Sequence, residues 1–207
     1  MEFVSLLIFK LKGDEINNPI IQIRAATLND VPGIARVHVD VWNSTYTGIV
    51  PQEFLDSRTY ENKTPQWQRI VGEAKPRSHV YVAVTETDEV VGFTSGGVNR
   101  DETYKFDSEL YAIYLLKNHH SKGIGRRLFE LTINLLVADG FKNMLVWVLE
   151  ENATREFYKK MGGTACGEKI EDIGGKPLRE LAFGWNPISP NNENINTKEL
   201  VPNLLPL

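Results

Sequence analysis

The chain has 207 residues, 42% of them apolar and 24% charged, with a formal net charge of -4. These values are typical of a single globular domain, and the slight acidity argues against a nucleic-acid partner, which normally requires a basic face. The one cysteine, Cys166, excludes an intramolecular disulfide and fits a reducing cytoplasm, where we expect the protein to act.

The two ends of the chain differ in composition from its middle. Residues 1–19 open with a short apolar run that Lys10 and Lys12 interrupt. The run is too short to span a bilayer and lacks the features of a signal peptide, so we interpret it as an N-terminal extension and expect no membrane partner. Residues 187–207 are rich in Asn and Pro, which indicates a tail. The folded domain is therefore expected over residues 20–186.

The first third of the domain predicts one strand and then three helices. The segment IQIRAA (21–26) alternates apolar and polar side chains, which favours a strand. A helix follows, with Thr27 or Asn29 as its N-cap. A short helix is expected within TGIVPQEFLD, and a third is expected with Thr64 as N-cap and Pro65 at the first helical position.

The rest of the domain alternates strands and helices. In chain order the patterns predict strands over 79–86, 90–98 and 109–116, a helix from about Gly125 to just before Gly140, a strand over 143–149, a helix over 152–161, and two strands flanking the turn at 172–177. This order predicts an α/β fold around a mixed sheet.

A loop with two glycines joins the strand near 109–116 to the helix that follows. Gly123 and Gly125 would let the backbone approach a ligand closely, and a helix N-terminus carries roughly half a positive charge. Lys122 and Arg126 would add full charges. The loop lacks the complete P-loop and Rossmann signatures, which argues against nucleotide binding. It predicts an anion site, with a plain helix start as the alternative.

Two segments have the spacing of motifs from one known family. His120, Gly123 and Gly125 match the signature [Q/R]-x-x-G-x-[G/A], with His120 in place of Gln or Arg. The segment NATREFYKKMGG matches a second signature with an asparagine, a Phe-Tyr pair and a glycine, here Asn152, Phe157, Tyr158 and Gly162. Both segments resemble the GNAT superfamily of acetyl-CoA-dependent N-acetyltransferases, in which the first signature binds phosphate.

The resemblance covers residues 21–185 and implies the fold and the cofactor. The family's fold has a mostly antiparallel mixed sheet of about six or seven strands, helices on both faces, and splayed fourth and fifth strands. Acetyl-CoA is the implied co-substrate, and its pantetheine arm adds to the sheet like a strand. The residues expected to bind it are Ile113, Tyr114, Leu115, His120, Ser121, Lys122, Gly123, Ile124, Gly125, Arg126 and Asn152.

The resemblance also implies catalytic residues. An amine with a pKa near ~10.4 must lose a proton before it can attack a thioester. Glu109 matches a position from which family members supply the base; Glu150 and Glu151 are reserve candidates, and a solvent-exposed Glu109 is the alternative. The family's tyrosine, matched by Tyr158, donates a proton to the departing sulfur; the alternative is that its ring only packs against the sheet.

The acceptor is expected to be the primary amine of a small molecule. Trp42 and Tyr46 resemble the segment that roofs the acceptor site, and Glu150 is a further substrate-binding candidate, although core packing is an equal alternative for Trp42. His38 is interpreted as a structural side chain. The sequence shows no metal-ligand spacing, so no metal is expected. A homodimer remains open.

The sequence therefore predicts an N-acetyltransferase that transfers acetyl directly within a ternary complex. The alternative is a non-catalytic acyl-CoA-binding or regulatory module of the same fold.

Overall fold

The computed structural model describes residues 20–73 and 75–190. The predicted N-terminal extension lies outside these residues. The described chain forms seven strands, which are β1 Gln22–Ala25, β2 His79–Val84, β3 Val90–Val98, β4 Ser108–Leu115, β5 Met144–Leu149, β6 Thr164–Ile173 and β7 Lys176–Trp185. Its α-helices are α1 Val31–Tyr46, α2 Gln52–Asp56, α3 Tyr60–Gly72, α4 Ile124–Ala138 and α5 Arg155–Lys160. The predicted order of strands and helices is confirmed.

All seven strands form one mixed sheet in the order β1-β2-β3-β4-β5-β7-β6. Every neighbouring pair is antiparallel except β4 and β5, which are parallel. That parallel pair is brief, because only Ser108 and Glu109 of β4 find partners, in Met144 and Leu145 of β5. The two strands then separate and leave a wedge-shaped opening in the middle of the sheet. The predicted mixed sheet and its splayed strands are thus confirmed.

Helices cover both faces of the sheet, as strand alternation requires. In β2, Val82 and Val84 pack in the cluster that contains α1 and α3. Ala83, between them, packs in a cluster with Ile124 and Leu128 of α4 on the other face. Successive side chains of a strand point to opposite faces, so each helical layer buries one of the two sets.

The predicted start of the third helix was wrong. The helix begins at Tyr60, and its N-cap is Thr59, whose side chain accepts a hydrogen bond from the Asn62 amide. Pro65 therefore lies inside α3 and cannot donate the usual backbone bond to the preceding turn. Thr64, predicted as the cap, instead donates its hydroxyl to the Tyr60 carbonyl at 2.8 Å.

The predicted C-terminal tail begins within the described residues. After β7, Ile188 is buried in the core cluster beside Phe141 and Trp185, and its amide donates to the Lys142 carbonyl at 2.9 Å. The packed part of the chain thus continues past the predicted limit at residue 186. Residues 191–207 of the tail lie outside the described residues.

Candidate active site

Two pockets meet where β4 and β5 separate. The first, here called the glycine pocket, has a volume of about 520 Å³ and includes Gly123 and Gly125. The second, here called the acidic pocket, has a volume of about 550 Å³ and includes Glu109 and Glu180. Five residues line both pockets, and they are Tyr46, Tyr111, Tyr114, Trp147 and Val148. Two ligands bound in the two pockets would therefore meet in the wedge.

The start of α4 gives the glycine pocket a set of backbone donors. Gly123 is the N-cap, in a left-handed conformation with φ of 75°, and no side chain caps the helix. The first bond of the helix runs from the Arg127 amide to the Gly123 carbonyl. The amides of residues 124 and 125 precede that bond, in the first turn, where an α-helix supplies no carbonyl acceptor four residues earlier. With the helix dipole behind them, they are suited to bind an anion.

The separated edge of β4 forms another wall of the glycine pocket. Ile113, Tyr114 and Leu115 line the pocket, and β5 has no partner for them in the sheet. On its other side, β4 remains paired with β3 along this stretch. Backbone groups that face the wedge are therefore available to an extended ligand that adds beside β4.

The predicted loop residues do not all reach the pocket. His120, Ser121 and Arg126 line it, whereas Lys122 and Ile124 do not. The Ile124 side chain is buried in the core cluster with Leu128, so only its backbone can face a ligand.

Two of the loop side chains already have intramolecular partners. The ring of His120 makes a hydrogen bond through Nε2 to the Leu115 carbonyl at 2.9 Å, which ties the loop to the end of β4. Arg126 pairs with Glu130 at 2.6 Å on the next turn of α4. Both side chains are nevertheless at the pocket, and a bound anion would compete with Glu130 for Arg126.

Tyr158 and Asn152 line the glycine pocket from the side of α5. Burial, with smaller contributions from Tyr46 and Tyr114, raises the pKa of Tyr158 well above its usual range. The hydroxyl therefore stays protonated at neutral pH and can act as a donor. Asn152 is buried, donates to the Tyr46 hydroxyl at 3.1 Å and accepts from the Thr154 amide at 2.9 Å.

Carboxylates dominate the acidic pocket. Five acidic side chains line it, against the two cations Arg100 and Lys169. The acidic side chains are Asp101, Glu102, Glu109, Glu171 and Glu180. A concave site with this balance of charge favours a cationic ligand.

Glu109, the predicted base, is buried and paired with a cation. Its side chain is 4% exposed. Its Oε2 accepts from Arg100 Nε at 3.0 Å and from the Arg100 backbone amide at 3.1 Å. Its Oε1 accepts from Arg100 Nη2 at 2.5 Å. Both oxygens are therefore occupied by one arginine, which the sequence analysis did not anticipate.

Glu180 is the residue at this site that sequence reasoning missed. It lies on β7 opposite Leu149 of β5 and lines the acidic pocket. Burial raises its pKa, the nearby Lys169 opposes that shift, and Glu171 and Glu109 add to it. The available signal was its place in β7, where it shares one face of the strand with the buried residues Leu178 and Ala182.

The predicted roof residues form an aromatic group over the wedge. Trp42 lines the acidic pocket and donates its indole N–H to the Tyr114 hydroxyl at 3.0 Å. Tyr46 packs against Trp42 with 4.6 Å between ring centroids. The Arg58 guanidinium lies 3.9 Å above the Trp42 ring. Trp42 thus combines packing with a position at the pocket.

Other predicted residues lie away from the two pockets. Glu150 and Glu151 line neither of them, and Glu150 pairs with Arg179 at 3.3 Å. Cys166 also lies outside both, and burial raises the pKa of its thiol. Within the described residues, no group of three or more His, Cys, Asp or Glu side chains could hold a metal ion. Nor does any helix of residues 20–73 and 75–190 have the length and apolar character to cross a membrane.

Comparisons with known proteins identify the family of this chain. The model of the acetyltransferase (GNAT) family matches residues 39–163. The uncharacterized N-acetyltransferase YuaI of Bacillus subtilis (strain 168) is 36% identical over 170 residues, which are 82% of this chain and 95% of that protein. The probable N-acetyltransferase Rv2775 of Mycobacterium tuberculosis is 28% identical over 179 residues, with 83% and 88% covered.

A solved structure has a similar fold. The PaiA N-acetyltransferase of Thermoplasma acidophilum, crystallised in complex with coenzyme A, superposes with a TM-score of 0.59 at 21% identity, over 81% of this chain and 99% of that one. The family match and the relatives together show that this chain belongs to the GNAT acetyltransferase family. It is an acyltransferase, as predicted.

Proposed function

We propose that the protein transfers the acetyl group of acetyl-CoA directly to the primary amine of a small cationic molecule, within a ternary complex. The observation that carries the proposal is the meeting of the glycine pocket with the acidic pocket at the wedge between β4 and β5. The glycine pocket is suited to an anion, and the acidic pocket favours a cation. A negatively charged acyl donor and a positively charged amine would thus approach each other from opposite sides.

The residues around the glycine pocket fit acetyl-CoA. The amides of residues 124 and 125 and the Arg126 side chain would hold the pyrophosphate. The free edge of β4 at residues 113–115 would pair with the amide groups of pantetheine, and one of its N–H groups could polarise the thioester carbonyl. His120, Ser121 and Asn152 would complete the contacts. The family and the coenzyme A complex of the T. acidophilum protein support this choice of donor.

The reaction then needs a base that removes a proton from the amine and an acid that protonates the departing coenzyme A sulfur. Carboxylates of the acidic pocket supply the base, with Glu109 as the residue predicted from sequence. Tyr158 supplies the proton for the sulfur, because its buried hydroxyl remains protonated. Cys166 lies outside both pockets, which supports direct transfer without an acetylated cysteine.

The acceptor proposal rests on the charge of the acidic pocket. An ammonium group would be attracted by its five carboxylates, while Trp42 and Tyr46 would contact the carbon chain that bears the amine. A neutral or anionic acceptor would have no counterpart for this charge. Glu150 does not line the acidic pocket. It would contact the acceptor only if the acceptor were long enough to extend out of that pocket.

A thiol-release screen tests the proposal. Acetyl-CoA is incubated with the protein and a panel of alkylamines, diamines, polyamines, amino acids and aminoglycosides, and free coenzyme A thiol is measured. We expect turnover with cationic small amines and unchanged turnover in the Cys166→Ala variant. Acetyl-CoA binding without thiol release from any amine would instead favour the non-catalytic module. A trapped acetyl-cysteine would contradict direct transfer.

A further inference from the structure

Two carboxylates of the acidic pocket are the most shielded from solvent. The Glu109 side chain is 4% exposed and that of Glu180 is 18% exposed, whereas Glu102 and Glu171 are exposed. The Asp101 side chain is 24% exposed, and hydrogen bonds from Thr103 lower its pKa, which makes it a weaker base. A base that removes a proton from a bound amine works best where water does not compete for the proton. The choice therefore lies between Glu109 on β4 and Glu180 on β7.

The oxygens of Glu109 are already occupied. Arg100 donates three hydrogen bonds to them, two of them from its guanidinium in a bidentate arrangement that fixes the carboxylate in place. An amine that approached Glu109 would have to displace at least one of these bonds in a buried site. The Arg100 guanidinium is itself fixed, because it also lies 4.2 Å from the Tyr111 ring.

Glu180 has a weaker partner. Its Oε2 lies 3.5 Å from Lys169 Nζ, beyond a short charge-assisted bond. The same Lys169 is shared with Asp101 at 4.0 Å and lies 4.3 Å from the Trp147 ring. The Glu180 carboxylate therefore keeps the capacity to accept a proton.

The position of Glu180 also fits the task. It pairs with Leu149 at the end of β5, on the side of the wedge opposite β4. It is close enough to Tyr46 and Tyr114 to affect the pKa of both, and these two tyrosines line both pockets. An amine that reaches the wedge from the acidic pocket would pass between Glu180 and β4.

We propose that Glu180 is the catalytic base, and that Glu109 is a positioning residue that holds Arg100. This inference rests on the proposed acetyltransferase function. In the reaction, the ammonium of the acceptor gives one proton to Glu180, which passes it to solvent. The nitrogen then forms a bond to the thioester carbon and the carbon–sulfur bond breaks. Tyr158 gives its proton to the sulfur and regains one from the nitrogen, so the net products are amide, thiol and one proton.

The charges around Glu180 set the direction of the pH dependence. Lys169 and Glu171 face it from β6, Glu109 and Tyr114 from β4, Arg100 from the loop before β4, and Tyr46 from α1. Burial and the two glutamates raise the pKa of Glu180, against the effect of Lys169. A carboxylate with a raised pKa is a better base near neutral pH. Activity should fall as the pH drops through this pKa, because the protonated carboxyl cannot act as a base.

The experiment compares the pH profile of kcat for the wild type and the isosteric variants Glu180→Gln and Glu109→Gln, with acetyl-CoA and the best amine of the screen both saturating. We expect Glu180→Gln to lower kcat about 100-fold at pH 7. In the wild type, kcat should fall at acidic pH as Glu180 becomes protonated, and we call this fall the acidic limb. In Glu180→Gln we expect no such limb, and kcat should rise continuously with pH up to the pKa of the amine. Glu109→Gln should keep the acidic limb, with its main effect on the KM of the amine.

Further variants keep the test decisive. Glu168→Gln is the matched control, since Glu168 lies on the neighbouring strand β6 but outside the acidic pocket, and its profile should match the wild type. Glu180→Asp keeps a carboxylate and should keep the acidic limb at a lower kcat, even if the glutamine variant does not fold. If Glu180→Gln keeps the acidic limb of the wild type, Glu180 is not the base. The assignment is also overturned if the acidic limb is lost in Glu109→Gln alone. A wild type that acetylates no amine would overturn the proposed function and this inference together.

Discussion

At the level of single residues, burial keeps the Tyr158 hydroxyl protonated. Its ring packs between Phe157 and Trp185, with centroids at 5.5 Å and 6.3 Å. The raised pKa makes this hydroxyl a weaker acid than a thiol. In the proposed reaction its proton therefore passes to the departing sulfur only as the hydroxyl regains a proton from the attacking nitrogen.

We expect the Tyr158→Phe variant to lose about 100-fold or more in kcat, because it removes the proton donor but keeps the packed ring. Its KM for acetyl-CoA should change little. Steady-state kinetics on the variant provide the measurement, and Tyr104→Phe is the matched control, since the Tyr104 hydroxyl bonds to the Glu168 carbonyl outside both pockets. An unchanged kcat in Tyr158→Phe would leave this tyrosine with packing as its only role.

Sequence reasoning singled out Tyr158 and Gly123, which line the glycine pocket, because each belongs to a local segment whose spacing can be read directly. It could not find the Arg100–Glu109 pair or the role proposed for Glu180. Glu180 reaches the site because β7 pairs with β5 across a gap of about 30 residues in the chain. A single sequence contains no record of that pairing.

At the level of elements, α4 owes its anion site to how it begins. Gly123 adopts a left-handed conformation that other residues rarely accept. Gly125, two positions later, leaves open space, since a Cβ there would have Phe157 Cε2 as its nearest neighbour at 3.9 Å. A substitution at Gly123 would therefore strain the backbone, whereas one at Gly125 would mainly fill the pocket.

We expect Gly125→Val to raise the KM for acetyl-CoA about tenfold or more, with little change in kcat, because it obstructs binding rather than chemistry. Gly125→Ala should have a smaller effect, since its single methyl fits. Initial rates at varied acetyl-CoA give the result. Gly72→Val, at the end of α3 and outside both pockets, is the control. A wild-type KM in Gly125→Val would place the pyrophosphate elsewhere.

The start of α3 shows the limit of local patterns for elements. Proline is favoured at the first turn of a helix, so Thr64 and Pro65 were a reasonable start. In the structure α3 begins earlier, at Tyr60. The Tyr60 hydroxyl donates a hydrogen bond to the Asp40 carboxylate of α1 at 2.6 Å. This contact with α1 and the Thr59 cap support a first turn that the proline alone would not predict.

At the level of the whole molecule, His38 links the helical layer to the sheet. It is buried on α1 and accepts a hydrogen bond from the Trp67 indole of α3 at 3.1 Å. It also packs edge-on against Tyr114 of β4, with 5.4 Å between ring centroids. The expectation of a structural role fits this position.

Burial, together with the nearby cations Lys63 and Arg58, lowers the pKa of His38 to about 3. In the unfolded chain a histidine has a pKa near ~6.5. The unfolded state therefore binds one more proton than the folded state between these two values, so stability is complete above about pH 6.5 and falls as the solution becomes more acidic.

We expect the free energy of unfolding to drop by about 2 kcal/mol between pH 7 and pH 5 on account of His38 alone. Urea unfolding at a series of pH values measures the drop. His38→Asn retains an acceptor for Trp67 and should flatten the slope, even if it lowers stability at every pH. Ser44→Asn, at an exposed position of the same helix, changes no titratable group and should leave the slope as in the wild type. If His38→Asn loses as much stability on acidification as the wild type, the acid sensitivity of the fold has its origin in another group.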